Sequence, residues 1–227
     1  MCDFAEAIVK QWRDDMNRRQ TLGNLNSVDV SRCSLEAQPK HSMVNHDKES
    51  ATIRVGISSC LLGESARFDG RHKRDAYITG TLSRWFEFVP LCPEVAIGLG
   101  IPREPIQMVA RAGEQPRAVG VHTPTLDATE ALLAFARMVA PGLSDICGYI
   151  FKSGSPSCGM QGVVIHSPTG APVARGSGIF AQALMERYPL LPVEEESRLG
   201  DPLLRERFIE RVFACHRHRE QTLKNSG

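Results

Sequence analysis

Apolar and polar positions along this chain alternate between two rhythms, and that alternation predicts most of its architecture. Ile53-Arg54-Val55-Gly56-Ile57-Ser58 is a short β-branched run and reads as a strand. Asp75 can cap a helix reaching about Phe86, with Tyr77, Ile78, Leu82, Trp85 and Phe86 at three- and four-residue spacing. Phe88-Val89-Pro90-Leu91 gives a second strand, which Pro93 prevents from continuing inside a sheet. Short strands are expected around Ile106–Val109 and Ala118–Val121. Thr125 or Asp127 caps a helix from about Ala128 to Val139, and Pro141-Gly142 stops it. Gly148-Tyr149-Ile150-Phe151 is a third, fully apolar strand, and Gly162 to Ala174 reads as a hairpin. Gly176-Ser177-Gly178 opens a helix with Phe180, Ala183, Leu184 and Tyr188 on its apolar side. The Pro-Leu-Leu-Pro-Val run at 189–193 gives a final strand. Asp201-Pro202 starts a helix bearing Leu204, Phe208 and Val212 four apart.

Strands alternating with helices predict an α/β fold: a Rossmann-like three-layer domain with a mostly parallel sheet, plus an N-terminal extension and a C-terminal helix. The expected division is 1–52 for the extension, 53–200 for the α/β domain and 201–227 for the C-terminal helix. Within the extension, Phe4, Ile8, Val9, Trp12 and Met16 fall near helical spacing. The polar stretch from Thr21 to Thr52 has too few large apolar residues to bury and reads as linker or disorder. Cys33, His41 and His46 lie there in a spacing that matches no standard zinc pattern.

Composition narrows the function classes. A chain of 227 residues with 42% hydrophobic residues can bury one good core. Its formal net charge of +1 excludes a global basic field for nucleic acid. No apolar run approaches the roughly 20 residues of a membrane span, and the N-terminus lacks a signal-peptide core, so a cytoplasmic protein is expected. Seven scattered cysteines argue for reduced thiols, some of them ligands or catalytic groups.

The candidate chemistry follows from where those thiols fall. Cys60, Cys92 and Cys158 each lie in a loop after a predicted strand, and in open α/β sheets ligands bind beyond the carboxyl ends of strands. Cys158 closes the small-residue loop Lys152-Ser153-Gly154-Ser155-Pro156-Ser157-Cys158-Gly159, whose backbone can approach a ligand closely. Cys92 and Cys158 are 66 residues apart and no CxxC pair exists. From spacing alone, an iron–sulfur cluster with one open iron, structural zinc, redox thiols and simple burial all remain open. Cys147 reads as a small buried hydrophobe, and His216 and His218, two apart on a helix, share no face. The basic turn from Arg67 to Asp75 is either solvated surface or a contact for an anionic group. Prolines 102 and 105 stiffen the loop around Arg103 and Glu104.

Five segments, in order, carry a family resemblance: Val55 to Gly63, Arg67-Phe68-Asp69-Gly70, Cys92-Pro93-Glu94-Val95, Pro102-Arg103-Glu104-Pro105 and Lys152 to Gly159. Together they resemble the TudS-like thiouracil desulfurase (desulfidase) family, formerly a domain of unknown function, over roughly Ile53 to Val193. The resemblance implies a 4Fe-4S cluster held by Cys60, Cys92 and Cys158, which makes 53–200 a cluster-binding catalytic domain. It also implies removal of sulfur from a thiolated pyrimidine base or nucleotide without net redox chemistry. On that basis Glu94 is the expected general base, and Ser153 or Ser155 contacts the ring or the leaving sulfur. Lys73, Arg74 and Arg103 are expected at a ribose phosphate. Neither a membrane nor a stable nucleic-acid complex is expected as partner. The stretch Asp201 to Phe213 looks like the junction that leads longer relatives into a second helical domain, and the N-terminal extension has no part in the resemblance. The absence of CxxC weighs against a thiol oxidoreductase. A non-catalytic iron–sulfur sensor or binding protein is the alternative.

Overall fold

The structure is a computed structural model that describes residues 52–225. The expected N-terminal helix and linker and the Cys33, His41 and His46 set lie outside the described residues.

Strands β1 (Ile53–Ser58), β2 (Phe86–Leu91), β5 (Tyr149–Phe151) and β8 (Val193–Glu195) form one sheet in the order β2-β1-β5-β8, with every neighbouring pair parallel. The expected α/β architecture with a parallel sheet is thus present. Alternation along the strands sorts side chains to two faces. Val55, Ile57 and Ile150 share one core with Phe208 and Val212 of the long C-terminal helix α5 (Pro202–Asn225). On the other face the Tyr149 ring stacks on Phe151 at 4.4 Å between centroids and meets Phe180 at 6.1 Å. Phe180 belongs to α4 (Ile179–Arg187) and packs in turn on Phe135 of α3 (Thr129–Val139). Three layers result. Tyr149 lies across from Gly56 in register, where a Cβ would stand 2.3 Å from the Tyr149 Cδ2, so only glycine admits the ring.

A second, mixed sheet was not anticipated as a separate unit. It joins β3 (Ile106–Val109), β4 (Arg117–Gly120), β6 (Val163–His166) and β7 (Pro172–Gly176) in the order β4-β3-β6-β7; only the β3–β6 pair is parallel. Ile106, Met108, Val163 and Ile165 form a core with Leu132 of α3 and Ile179 of α4.

Several boundaries differ from expectation. The helix capped by Asp75, whose carboxylate accepts from Ile78 N–H at 2.9 Å, is only α1 (Ala76–Gly80). Leu82–Arg84 is a 3-10 turn and Phe86 already starts β2, where Phe86 pairs with Ile53. Pro90 is tolerated because β2 is an edge strand. The last strand begins at Val193 rather than at Pro189, because the proline-bracketed stretch before it cannot donate a regular ladder. Asp201 caps α5 by accepting from Leu203 N–H at 2.8 Å.

Candidate active site

The three strands that carry the cysteines are neighbours, and all run the same way, so their carboxyl ends lie along one edge. From β1 the chain turns through the 3-10 segment Ser59–Leu62, which holds Cys60. From β2 it passes Cys92 into the single helical turn α2 (Pro93–Ala96), with Pro93 in the first helical position, where its missing N–H has no intrahelical partner to lose. From β5 it enters the Lys152–Gly159 loop. A cavity of about 590 Å³ opens at that edge, and Cys60, Cys92, Cys158 and Glu94 all line it. All three cysteines are free, Cys60 and Cys158 being buried and Cys92 half-buried.

The Cys158 loop is fixed from within and from behind. Ser155 Oγ accepts from the Cys158 N–H at 3.1 Å, and Ser155 O accepts from the Gly159 N–H at 2.8 Å. The first turn of α4 holds the other side: Ile179 N–H donates to Pro156 O and Ala181 N–H to Ser157 O, both at 3.0 Å. Gly178 permits this approach, since a Cβ there would lie 2.6 Å from the Ser157 carbonyl carbon.

Glu94 is buried with partners on both oxygens. Ser157 Oγ donates to Oε1 at 2.6 Å, and Arg103 Nε donates to Oε2 at 2.9 Å. Arg103 is 5% exposed; its remaining nitrogens donate to Gly100 O at 3.0 Å and Ala66 O at 2.9 Å. The cavity wall therefore contains Arg103, but its guanidinium faces the protein's own acceptors. A second ion pair stands on the opposite rim. Lys152 Nζ meets Glu196 Oε1 at 2.5 Å, Ser153 Oγ donates to the same oxygen at 2.7 Å, and Ser153 N–H donates to Oε2 at 2.7 Å.

The thiols are held as neutral groups. Burial, then the neighbouring Cys92, push Cys60 up to about 11. Burial raises Cys92 against the pull of the Val95 N–H. Burial raises Cys158 well above its ordinary value, helped by Cys92 and Glu94 and opposed by a hydrogen bond from Ser58. The first two causes are physically one: three sulfurs removed from water and set near each other cannot all ionise without a positive centre among them.

Sequence reasoning placed Cys60, Cys92, Glu94, Arg103, Ser153, Ser155, Cys158 and Lys73 on this wall, and all eight line it. Arg74 does not line it: its Nε donates to Thr79 Oγ1 at 3.3 Å on the outer surface. Sequence reasoning missed Lys152 and Glu196, which tie the loop to the end of β8, and the far wall formed by Gln107, Val164, His166 and Arg175 of the second sheet. Lys152 was visible as the charged opening of the loop motif. Glu196, 44 residues away, carried no local signal.

A family model described as 2-thiouracil desulfurase matches residues 55–196, the span that contains every wall residue named above. The chain belongs to the 2-thiouracil desulfurase family. Among relatives, the uncharacterized protein YbbK of Bacillus subtilis (strain 168) is 30% identical over 135 residues, covering 57% of this chain and 88% of that protein. A solved structure, that of the 4Fe-4S-dependent thiouracil desulfidase TudS, superposes with a TM-score of 0.50 at 28% identity. The match covers 66% of this chain and 94% of the other. In this family member no helix among the described residues is long and apolar enough to cross a membrane.

Proposed function

We propose that this protein hydrolyses thiolated pyrimidines, thiouracil or its nucleotide, to the oxo-pyrimidine and hydrosulfide, with Cys60, Cys92 and Cys158 holding a 4Fe-4S cluster. The observation that carries this reading is the delivery of three buried free thiols and one buried carboxylate to a single cavity by three adjacent parallel strands. The donor set fits the group. Among the described residues no three His, Cys, Asp or Glu side chains form a site for a single metal ion, which weighs against structural zinc. Ligands of a cluster each bind a different iron and stand further apart than ligands of one ion, and thiolate is the ordinary cluster donor. The cavity volume of about 590 Å³ lies within the usual range for small-molecule sites.

When bound, the cluster supplies a Lewis-acidic iron with an open position for a substrate sulfur. The chain's own residues do the rest. Glu94 takes a proton from the water that attacks the thiocarbonyl carbon, and returns it to the departing sulfur. A C–O bond forms, the C–S bond breaks, and no electrons are exchanged. Arg103 and Ser157 aim the carboxylate, so Arg103 acts as a positioning residue for Glu94 rather than as a phosphate contact. Ser155 holds the Cys158 N–H, and Ser153, anchored by Lys152 and Glu196, presents the loop edge to the ring. Lys73 is the wall cation available to a nucleotide phosphate; the outward-facing Arg74 is not.

The test is anaerobic reconstitution followed by iron and sulfide analysis and by the loss of thiocarbonyl absorbance from thiouracil and its nucleotide. Glu94→Gln should keep the cluster and lose about 10²- to 10⁴-fold in rate. A cluster-loaded wild-type chain with no turnover on any thiolated pyrimidine would sink the enzymatic reading and leave a sensor.

A further inference from the structure

Tyr149 in β5 is fully buried, and its hydroxyl has no hydrogen-bond partner. Packing alone does not call for a phenol there, since phenylalanine fills nearly the same space without leaving a polar atom unpaired. Its surroundings point toward the thiols. The ring lies over Gly56, against Phe151, and meets Phe180 at the start of α4. The same first turn of α4 clamps Pro156 and Ser157, so the phenol and the Cys158 loop pack on one short segment. The ionisable groups that act on the hydroxyl are Cys158, Cys92 and Cys60, in that order. A buried donor without an acceptor thus stands behind the three sulfurs, whereas Ser58 already supplies Cys158 with one hydrogen bond.

We infer that the Tyr149 hydroxyl donates a hydrogen bond to the sulfur of the cluster-bound Cys158 thiolate, acting as a positioning residue that tunes the metal group. The inference rests on the reading of the three thiols as cluster ligands. In the metal-free chain Cys158 is a neutral thiol, a poor acceptor; bound to iron it becomes a thiolate, a strong one. A hydrogen bond to that sulfur withdraws electron density, favours the more negative oxidation state and sharpens the Lewis acidity of the metal.

The experiment compares Tyr149→Phe with wild type in the full chain, metal-free and cluster-loaded. In the loaded protein the reduced state should be stabilised about tenfold less, a fall of about 59 mV in midpoint potential for a one-electron couple, read by spectroelectrochemical titration. Thermal stability should change sign between the forms. Metal-free Tyr149→Phe should melt at or above wild type, because an unpaired hydroxyl has been removed, and loaded Tyr149→Phe should melt below it. Tyr188→Phe is the control: the Tyr188 hydroxyl donates to Ala140 O at 2.6 Å, so its loss should lower both forms alike and leave the potential unmoved. An unchanged potential in loaded Tyr149→Phe overturns the inference alone. So does a metal-free Tyr149→Phe less stable than wild type, which would give the hydroxyl a structural partner. A wild-type chain that takes up no iron overturns the cluster reading and this inference together.

Discussion

Replacing Arg103 by methionine tests whether the site is held by a buried charge pair. The substitution keeps much of the apolar stem but removes the guanidinium, leaving the Glu94 carboxylate, 13% exposed, without its cation. It also strips donors from Gly100 O and Ala66 O. Breaking a buried pair from one side costs about 3–5 kcal/mol, because the remaining charge stays desolvated. Glu94 keeps the 2.6 Å hydrogen bond from Ser157, which favours the low end, about 3 kcal/mol. At about 2–4 °C per kcal/mol for a chain of this size, the melting temperature should fall by about 6–12 °C. Urea unfolding of the metal-free chain under reducing conditions reads the same loss as a lower midpoint at constant slope. The decisive measurement is a double-mutant cycle with Glu94→Gln. If the pair acts as a unit, Arg103→Met should cost less in the Glu94→Gln background, by about 1–3 kcal/mol. Additivity within about 0.5 kcal/mol would refute the reasoning and make the contact incidental. Arg103→Lys should restore little, since a lysine has no planar fork to reach Glu94 and the two carbonyls together.

Three further outcomes follow from the same geometry. Serine in place of Cys60, Cys92 or Cys158 should abolish stable cluster loading in each case, measured as iron per chain after reconstitution. The Cys147→Ser control, buried away from the cavity, should load normally if it folds. Gly178→Ala should lower loading without touching a thiol, because its Cβ must displace the Ser157 backbone and with it Cys158; wild-type iron content would contradict the clamp. Asp69 is pulled two ways: burial raises it, but the Arg71 N–H and the Arg71 and Arg67 side chains overcome this and hold it at about 2. Its folded value thus lies below the unfolded 3.8, so its contribution is full above about pH 4 and is lost as pH falls toward 2. The urea midpoints of wild type and Asp69→Asn should differ at pH 6 and converge toward pH 2; a gap independent of pH would refute the assignment.

The sequence made the principal sheet and the thiol set legible for one reason. Ile53–Ser58, Phe88–Leu91 and Gly148–Phe151 are apolar runs that stop at polar or proline-bearing turns, and Cys60, Cys92 and Cys158 lie just beyond them. The second sheet was less legible. Its strands are four or five residues long and pair by hydrogen bonds that leave little trace in side-chain pattern, so β3 and β4 were visible as elements but not as members of a separate sheet. Arg103 shows the same limit at the site. Its charge and its stiff loop were readable as a candidate anion contact, but the bond to Glu94 depends on how the 94–103 segment folds back. Lys152, Glu196 and Tyr149 are further cases, where a role emerges only from partners or missing partners distant along the chain.

The order β2-β1-β5 has a consequence for how such sites vary. Thirty-two residues separate Cys60 from Cys92 and sixty-six separate Cys92 from Cys158, yet their strands are consecutive in space. The backbone ladder sets the pitch: at about 4.8 Å per strand, the outermost two strand ends are about 10 Å apart whatever length of chain connects them. Insertions in the connecting helices and loops leave that ruler untouched, whereas a one-residue slip in β1 or β5 would turn the adjoining loop to the wrong face. The ligand triad is in effect measured out by hydrogen bonds between peptide groups, and relatives with quite different cysteine spacings can present the same three sulfurs.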